Sequence, residues 1–273
     1  MKRSLVGLVL VVLASFLNAP PALAVSPGAI FTCQFTGQVE AVDPIVSPGV
    51  TPSAHHHVFY GGGPVTSTET TATLITKATT CVETGNHSAF WIPEVREDGV
   101  RLQPATSKQA LLYYRCKHNA ATCANMQPFP EDFGQIRGNA KATSAAENPA
   151  FDNGLGGFRC GTGIGTFYPT PPTTCTARIL VLSVTFGNCL RTGVLTYQTN
   201  RACTTGGGQP VLRIQQFFRF QLPDTEVGMI TLGGDPSYTL HSDYKVGWEP
   251  AAFENFLNLC IRVNVDCGTN PNV

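Results

Sequence analysis

The sequence is poor in charge and shows no imbalance of it. Lys and Arg together number 18, Asp and Glu also 18, and the four types make up only 13% of the chain. Without Lys2 and Arg3 near the N-terminus, acids exceed bases by two. That leaves no electrostatic case for nucleic acid or an anionic membrane as partner. So low a charge content also argues against a charged disordered tail. Beyond Phe16 no run of 18 uninterrupted apolar residues occurs, so no later membrane span is expected. No two cysteines form a C-x-x-C pair, which weakens the zinc-knuckle and thioredoxin readings. There is no internal repeat and no long linker. The roughly 250 residues past the N-terminal segment therefore read as one domain.

What is present begins with an export signal. Lys2 and Arg3 precede an apolar run from Leu5 to Phe16, and Ala22-Leu23-Ala24 is a small-x-small cleavage pattern. Residues 1–24 are expected to be removed, leaving a secreted domain over 25–273 that starts at Val25. The ten cysteines all lie in that domain: Cys33, Cys81, Cys116, Cys123, Cys160, Cys175, Cys189, Cys203, Cys260 and Cys267. An even number in an exported chain predicts up to five disulfides. Cys116 and Cys123 are placed to staple a loop, Cys260 and Cys267 to clip the C-terminal tail, and Cys160 and Cys175 to pin an irregular excursion over 139–176.

Period-2 patterning dominates the rest. Over Val211 to Phe220, Leu212, Ile214, Phe218 and Phe220 share one face, and Arg213, Gln215 and Arg219 the other. Ala177–Phe186, Ala89–Arg96 and Ala110–Arg115 also read as strands. One helix is expected from Pro250, with Phe253, Phe256, Leu257 and Cys260 on one side. The fold class this predicts is mainly β. It is a single-domain β-sandwich or jelly-roll-like fold, disulfide-stapled, with one short C-terminal helix.

Two segments concentrate chemistry. The first runs from Asp43-Pro44-Ile45-Val46-Ser47-Pro48-Gly49 through His55-His56-His57 to Gly61-Gly62-Gly63. The second runs from Gly234-Asp235-Pro236-Ser237-Tyr238 through His241-Ser242-Asp243-Tyr244 to Gly247-Trp248. Their Gly and Pro content reads as loop. Were His55 to Val58 extended, His55 and His57 would share a face, and a His-x-His pair on one face is a way to grip a divalent metal. A third ligand would come from His241 or Asp243. The same groups also suit metal-free chemistry, with one imidazole as base and Tyr60 or Tyr244 as proton donor. A plainer reading has a solvated histidine run, with Asp43 and Asp243 bonding turn amides.

These motifs together resemble a family of secreted fungal and bacterial proteins defined only as a domain of unknown function. Its pattern is D-P-I-V-x-P-G, then S-x-H-x-H with a following Gly-Gly, then G-D-P-x-x-Y and H-G-D-F-x-x-G-W. Asp43, Ser53, His55, His57, Gly61, Gly62, Gly234, Asp235, Pro236, Tyr238, His241, Asp243, Gly247 and Trp248 match it in place. Phe90-Trp91-Ile92-Pro93 and Pro128-Phe129-Pro130 resemble two further family segments. Ser242 and Tyr244 depart mildly from the pattern. A larger departure follows Cys189, where Leu190-Arg191-Thr192-Gly193 stands in place of the family's Cys-Trp-x-Gly, and no acid or His precedes Cys203. The resemblance implies a site at the two segments and supplies no reaction.

Two functions follow as expectations. One is a carbohydrate-active hydrolase or lyase using His55, His57, His241 and Asp243 in a cleft. Asp43, Tyr60, Trp91, Tyr244 and Trp248 would bind a polysaccharide or cell-wall glycan, the tryptophans stacking on sugar rings. No opposed carboxylate pair of the glycosidase kind is evident. The other is a non-catalytic extracellular or cell-wall-associated binding protein on the same scaffold.

Overall fold

The computed structural model describes residues 26–163, 165–196 and 200–273. The expected signal segment 1–24 and the expected cleavage point at Val25 lie outside the described residues. Strand (38%) outweighs helix (15%), which places the protein in the mainly β class.

Two sheets dominate. The larger has seven strands. Six of them are β1 (Gly28–Cys33), β5 (Ala110–Arg115), β7 (Gly157–Cys160), β8 (Ile179–Thr185), β9 (Arg213–Gln221) and β11 (Asp266–Thr269). Their order is β7-β8-β9-β5-β1-β11, antiparallel except for the β1–β11 pair, and Gln103–Pro104 also pairs with β9. The smaller sheet has five: β2 (Phe35–Glu40), β3 (His57–Gly61), β4 (Ala89–Pro93), β6 (Gly134–Gly138) and β10 (His241–Lys245). They are ordered β2-β3-β4-β10-β6.

Strand β9 shows why the sheets pack face to face. Its residues alternate between half-buried and buried, as the sequence period requires. Ile214, Phe218 and Phe220 point inward and join Phe31, Leu112 and Tyr114 of the same sheet. Tyr60, Phe90, Ile92 and Tyr244 of the smaller sheet close over them, with Tyr60 and Phe218 ring centroids 5.0 Å apart. Each such side chain contributes roughly 1.5–3 kcal/mol by leaving water. The outer face of the smaller sheet has its own cover: Val42, Val65 and Leu74 from the long β3-flanking segments pack on Phe59, Ala89 and Trp91.

The C-terminal helix Pro250–Phe256 runs on as a wider turn to Ile261, and Phe253, Phe256, Leu257 and Cys260 are its buried side, as expected. All ten cysteines are paired. Cys116–Cys123, Cys160–Cys175 and Cys260–Cys267 form the staples expected from spacing, and Cys33–Cys81 and Cys189–Cys203 complete the set. Five disulfides are consistent with an extracellular protein. Among the described residues no helix is long and apolar enough to cross a membrane.

Candidate metal centre

His57 opens β3 and His241 opens β10, and both side chains are buried. Reading these segments as loops is therefore corrected in part: His57 and His241 are strand residues buried on a sheet face, while the chain before His57, His55 included, is irregular. The register explains how they meet. His57 pairs with Pro93 of β4, and Asp243 pairs with Trp91 of the same strand. Extending the second ladder by two residues sets His241 beside Pro93 as well. The two imidazoles thus approach each other from the strands on either side of β4. Their ring centroids are 5.9 Å apart.

His55 completes the cluster from the irregular segment before β3. Its ring lies 4.6 Å from that of His57 and 5.0 Å from that of His241, and its Nε2 stands 3.1 Å from the Nε2 of His241. One nitrogen from each of the three residues falls within 4.8 Å of the others. Tetrahedral ligands around a zinc ion, each at about 2.0–2.1 Å, stand roughly 3.4 Å apart, so small side-chain rotations close the set.

The backbone decides which nitrogens face the centre. His57 Nδ1 donates to Val42 O at 3.0 Å, and His241 Nδ1 donates to Thr239 O at 2.9 Å. Each bond fixes the tautomer with a bare Nε2, the arrangement that second-shell carbonyls impose on metal-ligating histidines. The Nε2 of His57 is buried without a hydrogen-bond partner.

Two glycines make the approach feasible. A Cβ on Gly138 of β6 would stand 2.3 Å from Leu240 O and 2.7 Å from the His241 Cβ, and its φ is +114°. A Cβ on Gly233, at φ +64°, would stand 2.8 Å from the His55 Cβ. Either side chain would displace a histidine.

Electrostatics keep the imidazoles neutral. Burial pushes His241 down to about 4, and the neighbouring His55 adds to the shift against a weaker opposing pull from Thr239 O. Burial, then His55 and His241, holds His57 well below its ordinary value. Burial also lowers His55, while Asp235 and Asp43 oppose it. Neutral imidazoles are the form that binds metal.

Asp43 and Asp243 differ. Asp43 Oδ1 accepts from the amides of Ile45 and Val46 at 2.9 and 3.0 Å, so it does hold a turn. Asp243 is fully buried and neither oxygen has a hydrogen-bond partner. Burial, with Asp43 as the nearby like charge, raises its carboxyl well above the usual range. Asp43 is itself raised by burial, against its amide bonds and His55. Such an uncompensated buried carboxylate costs stability unless something pairs with it.

The expected aromatic ligand contacts do not hold. Tyr60 and Tyr244 point into the inter-sheet core, where Tyr244 stacks on Phe90 at 5.2 Å. Trp248 packs on Phe31 and Phe256 and donates to Tyr114 Oη at 3.3 Å. Trp91 lies on the same outer face as the histidines, yet Val42, Val65 and Leu74 cover it. All four are buried, and Trp248 lines a surface pocket with Phe129, Pro130 and Phe253, away from the histidines. Asp235 and Gly138, met in the sequence only as motif residues, belong to the site, and so do Gly233 and the carbonyls of Val42 and Thr239, which were not predicted as parts of it. Only Gly234-Asp235 beside the histidine motif offered a sequence signal.

A family model described as "Domain of unknown function (DUF1996)" matches residues 43–248. That span runs from Asp43 to Trp248, the outer ends of the two motif segments. The chain belongs to this family. No curated protein and no solved structure matches it.

Proposed function

We propose that this member of the DUF1996 family is a secreted metalloprotein, holding one divalent cation through the Nε2 atoms of His55, His57 and His241. The observation that supports it best is the pair of Nδ1–H bonds to Val42 O and Thr239 O, which leave two bare, converging Nε2 atoms. Three imidazoles leave an open position in a four-coordinate site, the pattern of catalytic rather than structural zinc. The cation would supply Lewis acidity and activate water. Asp43 and Asp243, whose carboxyls burial raises above the usual range, would be the groups to accept and return a proton. The reaction class this favours is hydrolysis or lyase cleavage, with an extracellular glycan as substrate.

A second reading keeps the cation and drops the chemistry. It is favoured by the burial of His57, His241, Trp91 and Trp248, which leaves half-buried His55 as the site's open side. Metal content after purification, chelation and reloading tests the centre. About one divalent ion per chain is expected, lost in His57→Gln and His241→Gln while the fold is retained. Wild-type levels in both variants would refute the centre. Cleavage of cell-wall glycans by loaded wild type, absent in loaded His57→Gln, would then select the enzyme over the binding protein.

A further inference from the structure

The outer face of the larger sheet carries a second cluster, on the opposite side of the sandwich from the histidines. Strand register builds it. Arg159 of β7 and Arg219 of β9 both pair with Val181 of the intervening β8, so the two guanidinium stems flank one valine. Two same-face positions along, Gln215 of β9 pairs with Tyr113 of β5, and Phe217 lies between the two rows. These side chains, with Phe167, line a groove of about 340 Å³, within the size range of small-ligand sites.

Two features of the groove call for a ligand. The first is charge. Among the described residues no carboxylate is ion-paired with Arg159 or Arg219; the ion pairs there engage other bases. Arg159 Nη1 donates to Gly165 O at 3.2 Å, and its guanidinium sits 4.6 Å from the Phe167 ring centroid. The Nε of each arginine is buried without a partner. Burial depresses both groups, Tyr113 opposes the shift in each, and Arg159 adds to the depression of Arg219. The second feature is the aromatic floor. Tyr113 and Phe217 are half-buried with centroids 4.9 Å apart, and Phe167 stands 5.6 Å from Phe217.

We propose that this groove binds a carboxylate-bearing sugar unit of an acidic polysaccharide, with the carboxylate between Arg159 and Arg219 and the ring against Tyr113 and Phe217. Planar guanidinium groups match a carboxylate in a bidentate fork. Aromatic faces suit the apolar face of a pyranose, and the Gln215 amide offers both a donor and an acceptor to hydroxyls. The charge is local in a chain with equal acids and bases, which fits one anionic unit better than a phosphate backbone that needs a continuous basic track.

The test is calorimetric titration of the intact, disulfide-bonded protein in chelator, so that the histidine centre takes no part. The probes are tetragalacturonate, its fully methyl-esterified form and a short oligothymidylate. Binding of tetragalacturonate is expected, with at least tenfold loss on esterification. Arg159→Gln and Arg219→Gln should each weaken it tenfold or more. Arg159→Lys, which keeps the charge and loses the fork, should weaken it severalfold with an unchanged melting temperature. Equal affinity for the ester, wild-type affinity in Arg159→Lys and Arg159→Gln, no binding of tetragalacturonate, or tighter binding of the oligothymidylate would each overturn the proposal. None of these results bears on the histidine centre.

Discussion

Metal affinity in this protein should depend weakly on pH, and the burial of its histidines says by how much. An imidazole with the ordinary value of 6.5 is about nine-tenths protonated at about pH 5.5, which costs a metal roughly tenfold in affinity per ligand. Three such ligands would lose roughly a thousandfold between about pH 7.5 and about pH 5.5. Here His241 is lowered to about 4 and contributes almost nothing to that loss. His57 is held well below its ordinary value by burial and its two histidine neighbours. Only His55, half-buried and supported by Asp235 and Asp43, retains a share. The expected loss is therefore at most about tenfold. Competition titrations with a chromogenic chelator across that range measure it. A loss of a hundredfold or more would refute the argument that the two strand histidines are held neutral by burial. The metal-free protein offers the complementary sign. The folded pKa of His241 lies below the unfolded one, so the contribution is fully favourable above about pH 6.5. It declines as pH falls and is gone below about 4, a change of roughly 3 kcal/mol from this residue. Asp43 and Asp243 act oppositely, so the comparison to make is wild type against His241→Asn over the same range.

Asp243→Asn should stabilise the chelated protein by roughly 1–3 kcal/mol at about pH 8, because it removes an unpaired buried charge. A raised folded pKa makes its penalty grow as pH rises, so thermal melts of the two proteins should converge near about pH 4. Gly138→Ala should cost more than about 2 kcal/mol and lower metal affinity at least tenfold, since its Cβ would collide with Leu240 O and the His241 backbone; unchanged metal binding in a folded variant would count against the site. Replacing Cys33 and Cys81 by Ser opens a cross-link of separation 48. This should cost about 4 kcal/mol, or about 8–16 °C in melting temperature, and a loss under about 2 °C would show that the β1 edge does not depend on it.

Local pattern carried much of this fold. The alternation across Arg213–Gln221 read as a strand because each inward residue is apolar except Gln216, and the helix at Pro250 read as a helix because its apolar residues recur at helical spacing. The short cysteine spacings read correctly because a bridge across 7 or 15 residues leaves few alternatives. Non-local facts were hidden. Nothing in His241-Ser242-Asp243-Tyr244-Lys245 says that it lies next to Ala89–Pro93, since strand order is set by long-range packing. The histidine cluster was legible as residue types and as a shared face for His55 and His57, and the position of His241 opposite Pro93 was not. The aromatics misled for a related reason. An aromatic in a strand can face a ligand or a core, and the pattern does not say which; two sheets and the Val42–Leu74 cover bury Trp91 and Trp248. The arginine groove was half visible, because Arg213, Gln215 and Arg219 share the polar face of their strand. Its partner Arg159 came from within a segment that reads only as irregular.

The distance along the chain between the two halves of the histidine cluster, 186 residues from His55 to His241, has a bearing on how the protein matures. A polypeptide emerging N-terminus first presents His55 and His57 early and must wait through most of its synthesis for the third imidazole. Until β10 has inserted between β4 and β6, there is no place for the three nitrogens to meet. A chain truncated before His241 keeps two of the three ligands, and one with β10 unpaired keeps all three, but neither has their convergence. Cation uptake would thus act as proof of completion, registering the closure of the smaller sheet rather than the mere presence of histidine.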